Sequence, residues 1–295
     1  MRARILPVMF VLVMANAAAA QAPNTDIFLA PLRRVRDSIV VGAAKNITRR
    51  AGYDNQPGFT PDSRAIFYTV VGADAQADIW RYDIAERRTS RVTNTPESEY
   101  SATVMPGGRR MSVIRVERDS TQRLWSFALD GSDAQIVLTA LEPVGYHVWL
   151  GPARIAAYVL GTPSALHLID SDGRNDEIRA RDVGRALQRV PGQRAFSYTR
   201  RDSAKTLWIM TQPFVGETEL PIVKAPSDNE YHAWTPDGIL LTASRGTLLR
   251  WNRAIDASSG WLPVADLSPG VKNISRVVVS PDGKWIAFVA EPAAP

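Results

Sequence analysis

The residues best suited to chemistry in this chain form two short clusters that share one pattern. Tyr-His-Val-Trp occupies positions 146–149, and Tyr-His-Ala-Trp occupies positions 231–234. Tyrosine and histidine combine a flat ring with hydrogen-bonding groups, and this combination is typical of sites that bind a polar ligand or a peptide end. Aromatic side chains at repeated positions can also fill space by packing on one another. The clusters therefore indicate either a binding site or a packed plug.

Histidine is the residue that these clusters would use for acid–base or metal chemistry. The chain has three histidines and no cysteine, and no His-x-x-His motif is present. A zinc site needs three or four converging ligands, so His147 and His232 alone fall short of that set. We predict no catalytic residue, no cofactor and no metal site. The alternative is a lyase or hydrolase, with or without a metal ion, in which Glu99 and Glu230 assist the two histidines.

The two clusters lie within a sequence repeat whose period is near 45 residues, and the fold of this repeat must position them. Its clearest marker is a proline at a predicted turn, found at Pro61, Pro106, Pro152, Pro191, Pro236 and Pro281. The intervals between these prolines are characteristic of propeller blades and of some helical solenoids. Within each unit, short segments alternate apolar and polar residues, which indicates strands rather than helices. The sequence therefore predicts an all-β fold, a six-bladed β-propeller with four-stranded blades.

The last unit is incomplete, and its absent strands are predicted at the other end of the chain. This unit provides two strands, around 277–279 and 285–290. Segments around 26–29 and 39–48 have the pattern of the two outer strands that it lacks. Pairing between the chain ends would close the ring. We therefore expect the last blade to be completed by N-terminal strands.

In such a ring, the first strand of each blade lines a central channel. Both clusters lie at the start of that strand, so equivalent positions of different blades should meet at one mouth of the channel. His167 instead falls in the third strand, where other units carry a large apolar or aromatic side chain, and we expect it to fill a blade core. The candidate ligand-binding residues at the mouth are Tyr100, Tyr146, His147, Arg185, Tyr231, His232 and Arg276.

The N-terminal residues have the pattern of an export signal. Arg2 and Arg4 precede an apolar run at 5–13 and a series of small residues that ends at Ala20. We predict that residues 1–20 form a cleaved signal peptide and that residues 21–295 form a single propeller domain, periplasmic or secreted. The apolar run is too short to span a bilayer. No transmembrane segment is expected in the mature chain.

Charge and composition exclude several other classes of protein. The formal charge of +5 becomes +3 without the two arginines of the signal, and the remaining arginine pairs fall mostly at predicted turns. A nucleic-acid interface would need a basic face with interleaved aromatic residues, so no nucleic-acid partner is expected. Disulfides are impossible without cysteine, and a chain of this length can bury a sufficient core without them. We expect a monomer.

The segments around three of the turn prolines resemble the WD40-like repeats of the TolB family propellers. They read Phe-Thr-Pro-Asp-Ser-Arg at 59–64, Trp-Thr-Pro-Asp-Gly at 234–238 and Val-Ser-Pro-Asp-Gly-Lys-Trp at 279–285. This resemblance implies an exported propeller that binds a protein or peptide partner in the cell envelope. An N-terminal α/β domain like that of TolB is not expected here, because few residues lie between the predicted cleavage site and the first predicted strand. Similar propellers include metal-dependent pectate-fragment lyases, and the repeat marks fold better than function.

Overall fold

A computed structural model describes residues 23–216 and 218–293, and every regular element in these ranges is a β-strand. The chain begins with β1 (Asp26–Val35), β2 (Ser38–Val41) and β3 (Lys45–Asn46). Blade 1 contains β4 (Tyr53–Phe59), β5 (Ala65–Val71), β6 (Ala77–Asp83) and β7 (Arg88–Arg91). Blade 2 contains β8 (Ser98–Val104), β9 (Arg110–Val116), β10 (Gln122–Ala128) and β11 (Gln135–Ile136). Blade 3 contains β12 (Val144–Gly151), β13 (Arg154–Val159), β14 (Ala165–Asp170) and β15 (Glu177–Arg181).

The second half of the ring repeats the same arrangement. Blade 4 contains β16 (Val183–Arg189), β17 (Ala195–Arg201), β18 (Leu207–Pro213) and β19 (Leu220–Lys224). Blade 5 contains β20 (His232–Trp234), β21 (Leu240–Ser244), β22 (Thr247–Trp251) and β23 (Leu262–Asp266). The C-terminal strands are β24 (Val271–Lys272), β25 (Val277–Val279) and β26 (Trp285–Pro292). The predicted signal peptide lies outside the described residues.

The core of the molecule lies between the blades rather than at one centre. Each of blades 1 to 5 is an antiparallel four-stranded sheet whose strands pair in chain order. Buried hydrophobic residues form a separate cluster between each pair of neighbouring blades around the ring. The prediction of an all-β, six-bladed β-propeller is therefore confirmed. No helix that could span a membrane occurs in the described part of the chain.

The proline turns join the first and second strands of a blade through a repeated hydrogen bond. In blade 1, Thr60 Oγ1 donates to Asp62 Oδ1 at 2.6 Å, and the same oxygen accepts the backbone N–H of Arg64. The equivalent pairs are Thr235 with Asp237 at 2.5 Å and Ser280 with Asp282 at 2.7 Å. Proline presets the φ angle of the first corner residue, and the carboxylate replaces backbone partners within the turn. This explains why Thr-Pro-Asp or Ser-Pro-Asp recurs along the sequence.

The sixth blade is built from both ends of the chain, as the sequence predicts. Strand β1 pairs with β26 in antiparallel register from Asp26 opposite Ala290 to Pro31 opposite Trp285. Strand β25 continues the sheet beside β26, and β3 continues it beside β1. The predicted outer segment at 39–48 is divided, because β2 forms a hairpin with the far half of β1 and only β3 extends the blade. The ring is thus closed by strand pairing.

Candidate functional site

The mouth of the central channel carries a cluster of tyrosine and arginine, which we call the Tyr/Arg cap. Its four members come from four different blades and lie near the starts of the inner strands β12, β16, β20 and β25. They are Tyr146, Arg185, Tyr231 and Arg276. Arg185 is exposed and the other three are half-buried. A cavity of about 270 Å³ extends from this cap along the channel.

Arg276 reaches across the channel and holds the cap together. One of its terminal nitrogens donates a hydrogen bond to Tyr146 Oη at 2.9 Å, although the two residues belong to opposite blades. The guanidinium carbon also lies 4.2 Å from the centre of the Tyr231 ring and 4.9 Å from that of Tyr146. Such stacking is attractive, because the ring face is the negative end of its quadrupole. The cap therefore has features of a plug, yet it borders an open cavity.

The cap carries two positive charges, and one carboxylate lies close to it. Among the residues that line the cavity, two are arginines and none is Asp, Glu or Lys. In the described ranges, neither Arg185 nor Arg276 forms an ion pair with a carboxylate. Glu230 is the acid nearest to Arg185 along the mouth, and its Oε2 accepts the backbone N–H of Arg185 at 3.4 Å. The cavity wall therefore carries two positive charges, and the Glu230 carboxylate lies beside Arg185 at its rim.

A further tyrosine that the sequence did not mark, Tyr53 of β4, belongs to the same neighbourhood. Burial raises the pKa of Tyr53 to about 12, even though the charge of Arg276 lowers it. Burial also raises the pKa of Tyr231. Both hydroxyls are therefore neutral near pH 7 and can donate hydrogen bonds. Tyr100, one of the predicted site residues, does not line the cavity and packs instead against the hydrophobic cluster between blades 2 and 3.

His147 fastens its blade to the preceding blade. The Oγ atom of Ser112, on β9, lies 2.6 Å from His147 Nε2 and accepts the indole N–H of Trp149 at 2.9 Å. All three side chains are buried. We call this arrangement a His-Ser-Trp staple, and this first copy joins blades 2 and 3.

The second copy of the staple joins blades 4 and 5. Ser197 Oγ, on β17, lies 2.8 Å from His232 Nε2 and accepts the indole N–H of Trp234 at 2.8 Å. The two copies explain the shared sequence pattern, because His-x-Trp places both rings on the same side of a strand. The tyrosine before each histidine belongs to the cap, and the histidine and tryptophan contact the neighbouring blade.

The environment of the two histidines favours a structural role over acid–base chemistry. Burial lowers the pKa of His147 to about 4 and that of His232 to about 3. Neither imidazole has a carboxylate beside it within the described residues, and Nδ1 of each has no hydrogen-bond partner. Both side chains form part of the cavity wall. Both imidazoles are therefore neutral near pH 7. A general acid or base should instead have a pKa near the working pH.

His167 occupies the outer part of blade 3, away from the channel. It lies in β14, is 9% exposed, and its Nδ1 is 2.7 Å from Asp176 Oδ1. This placement agrees with the expectation that His167 fills a blade. No group of three His, Asp or Glu side chains that could hold a metal ion is found within residues 23–216 and 218–293.

Ser112→Ala is expected to destabilise the protein by about 1 to 3 kcal/mol, because it leaves two buried polar groups without their partner. The affected groups are the imidazole of His147 and the indole N–H of Trp149. Urea denaturation at pH 7 measures the change, and Ser90→Ala on exposed strand β7 is the matched control. A Ser112→Ala protein as stable as the control would show that the staple contributes nothing.

This chain resembles known proteins in fold but not in sequence. No protein-family model matches the chain, and no curated protein sequence is similar to it at a significant level. Among solved structures, a candidate TolB from Agrobacterium tumefaciens has a TM-score of 0.70 at 11% identity, and the match covers 92% of this chain and 99% of the other. TolB from Acinetobacter baumannii has a TM-score of 0.54 at 12% identity, and the match covers 90% of this chain and 64% of that one.

An enzyme is also among the similar structures. An oligogalacturonate lyase in complex with manganese has a TM-score of 0.57 at 14% identity, and the match covers 86% of this chain and 82% of the lyase. At these identities the comparisons establish the fold alone, which is that of TolB-like β-propellers. Both binding proteins and enzymes use this fold, so function must be argued from the site.

Proposed function

We propose that this TolB-like propeller is an exported binding module that recognises a protein or peptide partner in the cell envelope. The single observation that carries this proposal is the Tyr/Arg cap over a channel cavity whose two histidines are engaged in staples. Tyrosine and arginine, with tryptophan, are enriched among the few residues that dominate binding energy at protein interfaces. Their position at a concave opening suits recognition of a small part of a partner.

The proposed location rests on the amino-acid sequence of the N-terminus. Residues 1–20 have the basic, apolar and small-residue regions of an export signal. Cleavage after Ala20 would leave residues 21–295 as one propeller domain, periplasmic or secreted and monomeric. N-terminal sequencing of the exported protein tests the cleavage site directly.

Affinity capture from an envelope extract tests the binding role. We expect the wild-type propeller to recover a partner that both Tyr231→Ala and Arg276→Ala lose, because each change removes one side of the stacked cap. Leu220→Ala is the control, since this exposed side chain lies on outer strand β19. Thermal melting of each variant verifies that the ring is folded. If both cap variants still recover the partner, the proposed site is wrong. If the Leu220→Ala variant alone loses the partner, the binding site lies on the outer surface instead.

The alternative function is a lyase or hydrolase acting at the same mouth. The likeness in fold to an oligogalacturonate lyase supports it. This alternative requires His147 or His232 to leave its staple and reach a substrate. Activity that depends on a metal ion, and that both His147→Ala and His232→Ala abolish in folded protein, would replace the binding proposal.

A further inference from the structure

The channel cavity has an unbalanced set of charges. Arg185 and Arg276 line it, whereas none of its lining residues is acidic. The guanidinium of Arg276 has a tyrosine hydroxyl as its hydrogen-bond acceptor rather than a carboxylate. A carboxylate is a stronger acceptor than a neutral hydroxyl, and arginine can hold it through two parallel hydrogen bonds. The cavity is therefore suited to an anion.

The cavity wall also carries polar atoms that the protein leaves without partners. Ser101 Oγ, His147 Nδ1 and His232 Nδ1 are buried and form no hydrogen bond within the described part of the chain. All three residues line the cavity. Buried polar groups are usually paired, and an unpaired one costs about 1 to 3 kcal/mol. These three atoms are sealed from solvent, so a polar ligand in the cavity could pair with them only after a shift of their side chains.

Building on the binding role proposed above, we infer that the channel recognises the free C-terminal carboxylate of a peptide or protein chain, held by Arg185 and Arg276. The cavity of about 270 Å³ is smaller than the pockets of about 300 to 1,000 Å³ that hold drug-sized ligands. A cavity of this size can admit one or two residues at the end of a chain, whereas a folded surface would be too broad to enter it. A chain has two ends, and the two guanidiniums repel the cationic N-terminus while they attract the anionic C-terminus.

The cap supplies several hydrogen-bond donors for such a carboxylate. Tyr146 Oη accepts a hydrogen bond from Arg276 and retains its own proton to donate. Burial acts to lower the pKa of Arg185, but a hydrogen bond with Tyr231 and the charge of Glu230 raise it overall, so the guanidinium stays charged. Capture of a terminal carboxylate by clustered donors is a known mode of peptide recognition.

A paired peptide array tests this inference. Five-residue peptides of varied sequence are attached through their N-termini, once with a free C-terminal carboxylate and once as the C-terminal amide. We expect the best-binding sequences to bind wild-type protein at least about tenfold more tightly as free acids, the factor that corresponds to about 1.4 kcal/mol. Arg185→Gln and Arg276→Gln should each remove most of that preference. Arg109→Gln is the matched control, because Arg109 is an exposed arginine in a turn distant from the cap.

Each other outcome of the array is decisive. Equal binding of acids and amides overturns the carboxylate inference, while the capture experiment still supports a binding module. Free galacturonate that displaces bound peptide as well as a free-acid peptide would assign the site to sugar acids and overturn the peptide assignment. If no peptide binds although capture recovers a partner through the cap, the partner is not held by its chain end. Failure of both experiments overturns the binding role itself.

Discussion

Replacing Phe28 by alanine is expected to destabilise the whole ring by about 3 to 5 kcal/mol, the usual cost of truncating a buried phenylalanine. Phe28 lies on β1, is 7% exposed, and stacks on Phe288 of β26 with ring centres 5.4 Å apart. It belongs to the hydrophobic cluster between blades 5 and 6. The two rings thus connect the first strand of the chain to the last.

The loss of stability should affect the whole ring, because among the described strands it is β1 that pairs with β26 and joins the two chain ends. Without it, β26 would expose an unpaired edge, and the interfaces that the sixth blade makes with blades 5 and 1 would both weaken. Guanidinium denaturation followed by tryptophan fluorescence and by circular dichroism measures the change. Both signals should shift together, as expected for a cooperative transition.

Val40→Ala is the matched control for Phe28→Ala. Val40 lies on β2, in the same N-terminal segment, but its side chain is 37% exposed, so the change should cost less than about 1 kcal/mol. A Phe28→Ala protein with the denaturation midpoint of the wild type would show that the terminal strand is not part of the cooperative ring. A deletion through Arg36 removes β1 entirely and should prevent formation of a stable ring.

The fold could be predicted from the sequence because its evidence is local and repeated. Turn prolines at nearly constant spacing mark the blades, and alternation of apolar residues identifies strands. The closure of the ring follows from the phase of the repeat at the two ends. The hairpin of β2 was not predicted, because a strand pattern at 39–48 does not tell which neighbour each residue pairs with.

The candidate site was only partly predictable because its contacts are distant in sequence. Tyr146 and Arg276 meet although 130 positions separate them. Ser112 gave no signal, since a serine in the second strand has many possible roles. Tyr53 was missed because it lies 8 positions before its turn proline, whereas the predicted tyrosines and arginines lie 5 or 6 positions before theirs. Position relative to the proline is therefore a good guide to the strand and a poor guide to the side chain's surroundings.

Lowering the pH from about 6.5 to about 4 is expected to destabilise the protein by several kcal/mol through the two stapled histidines. An unfolded histidine has a pKa near 6.5, whereas burial lowers the pKa of His147 to about 4 and that of His232 to about 3 in the folded protein. Between these values the unfolded chain binds more protons than the folded one. Stability therefore falls with falling pH in this window. Down to pH 4 each histidine contributes about 3 kcal/mol, since one unit of pKa corresponds to about 1.4 kcal/mol.

Three buried carboxyl groups act in the opposite direction. Burial raises the pKa of Asp54, Asp78 and Glu99, so the folded protein takes up those protons more readily than the unfolded chain. Their contribution opposes the histidines in the acidic part of the window. The contribution of the histidines to the pH dependence of stability must therefore be measured by comparing the wild type with a variant that lacks them. The wild-type dependence alone combines both effects.

The double variant His147→Gln with His232→Gln isolates that difference. Glutamine can still share a hydrogen bond with Ser112 or Ser197, but it does not titrate. Urea denaturation at pH 7, 6, 5 and 4 should show a free energy of unfolding that declines less steeply in the double variant than in the wild type. Equal slopes in the double variant and the wild type would mean that the staple histidines become charged in the folded ring, and this would reopen the acid–base role at the channel mouth.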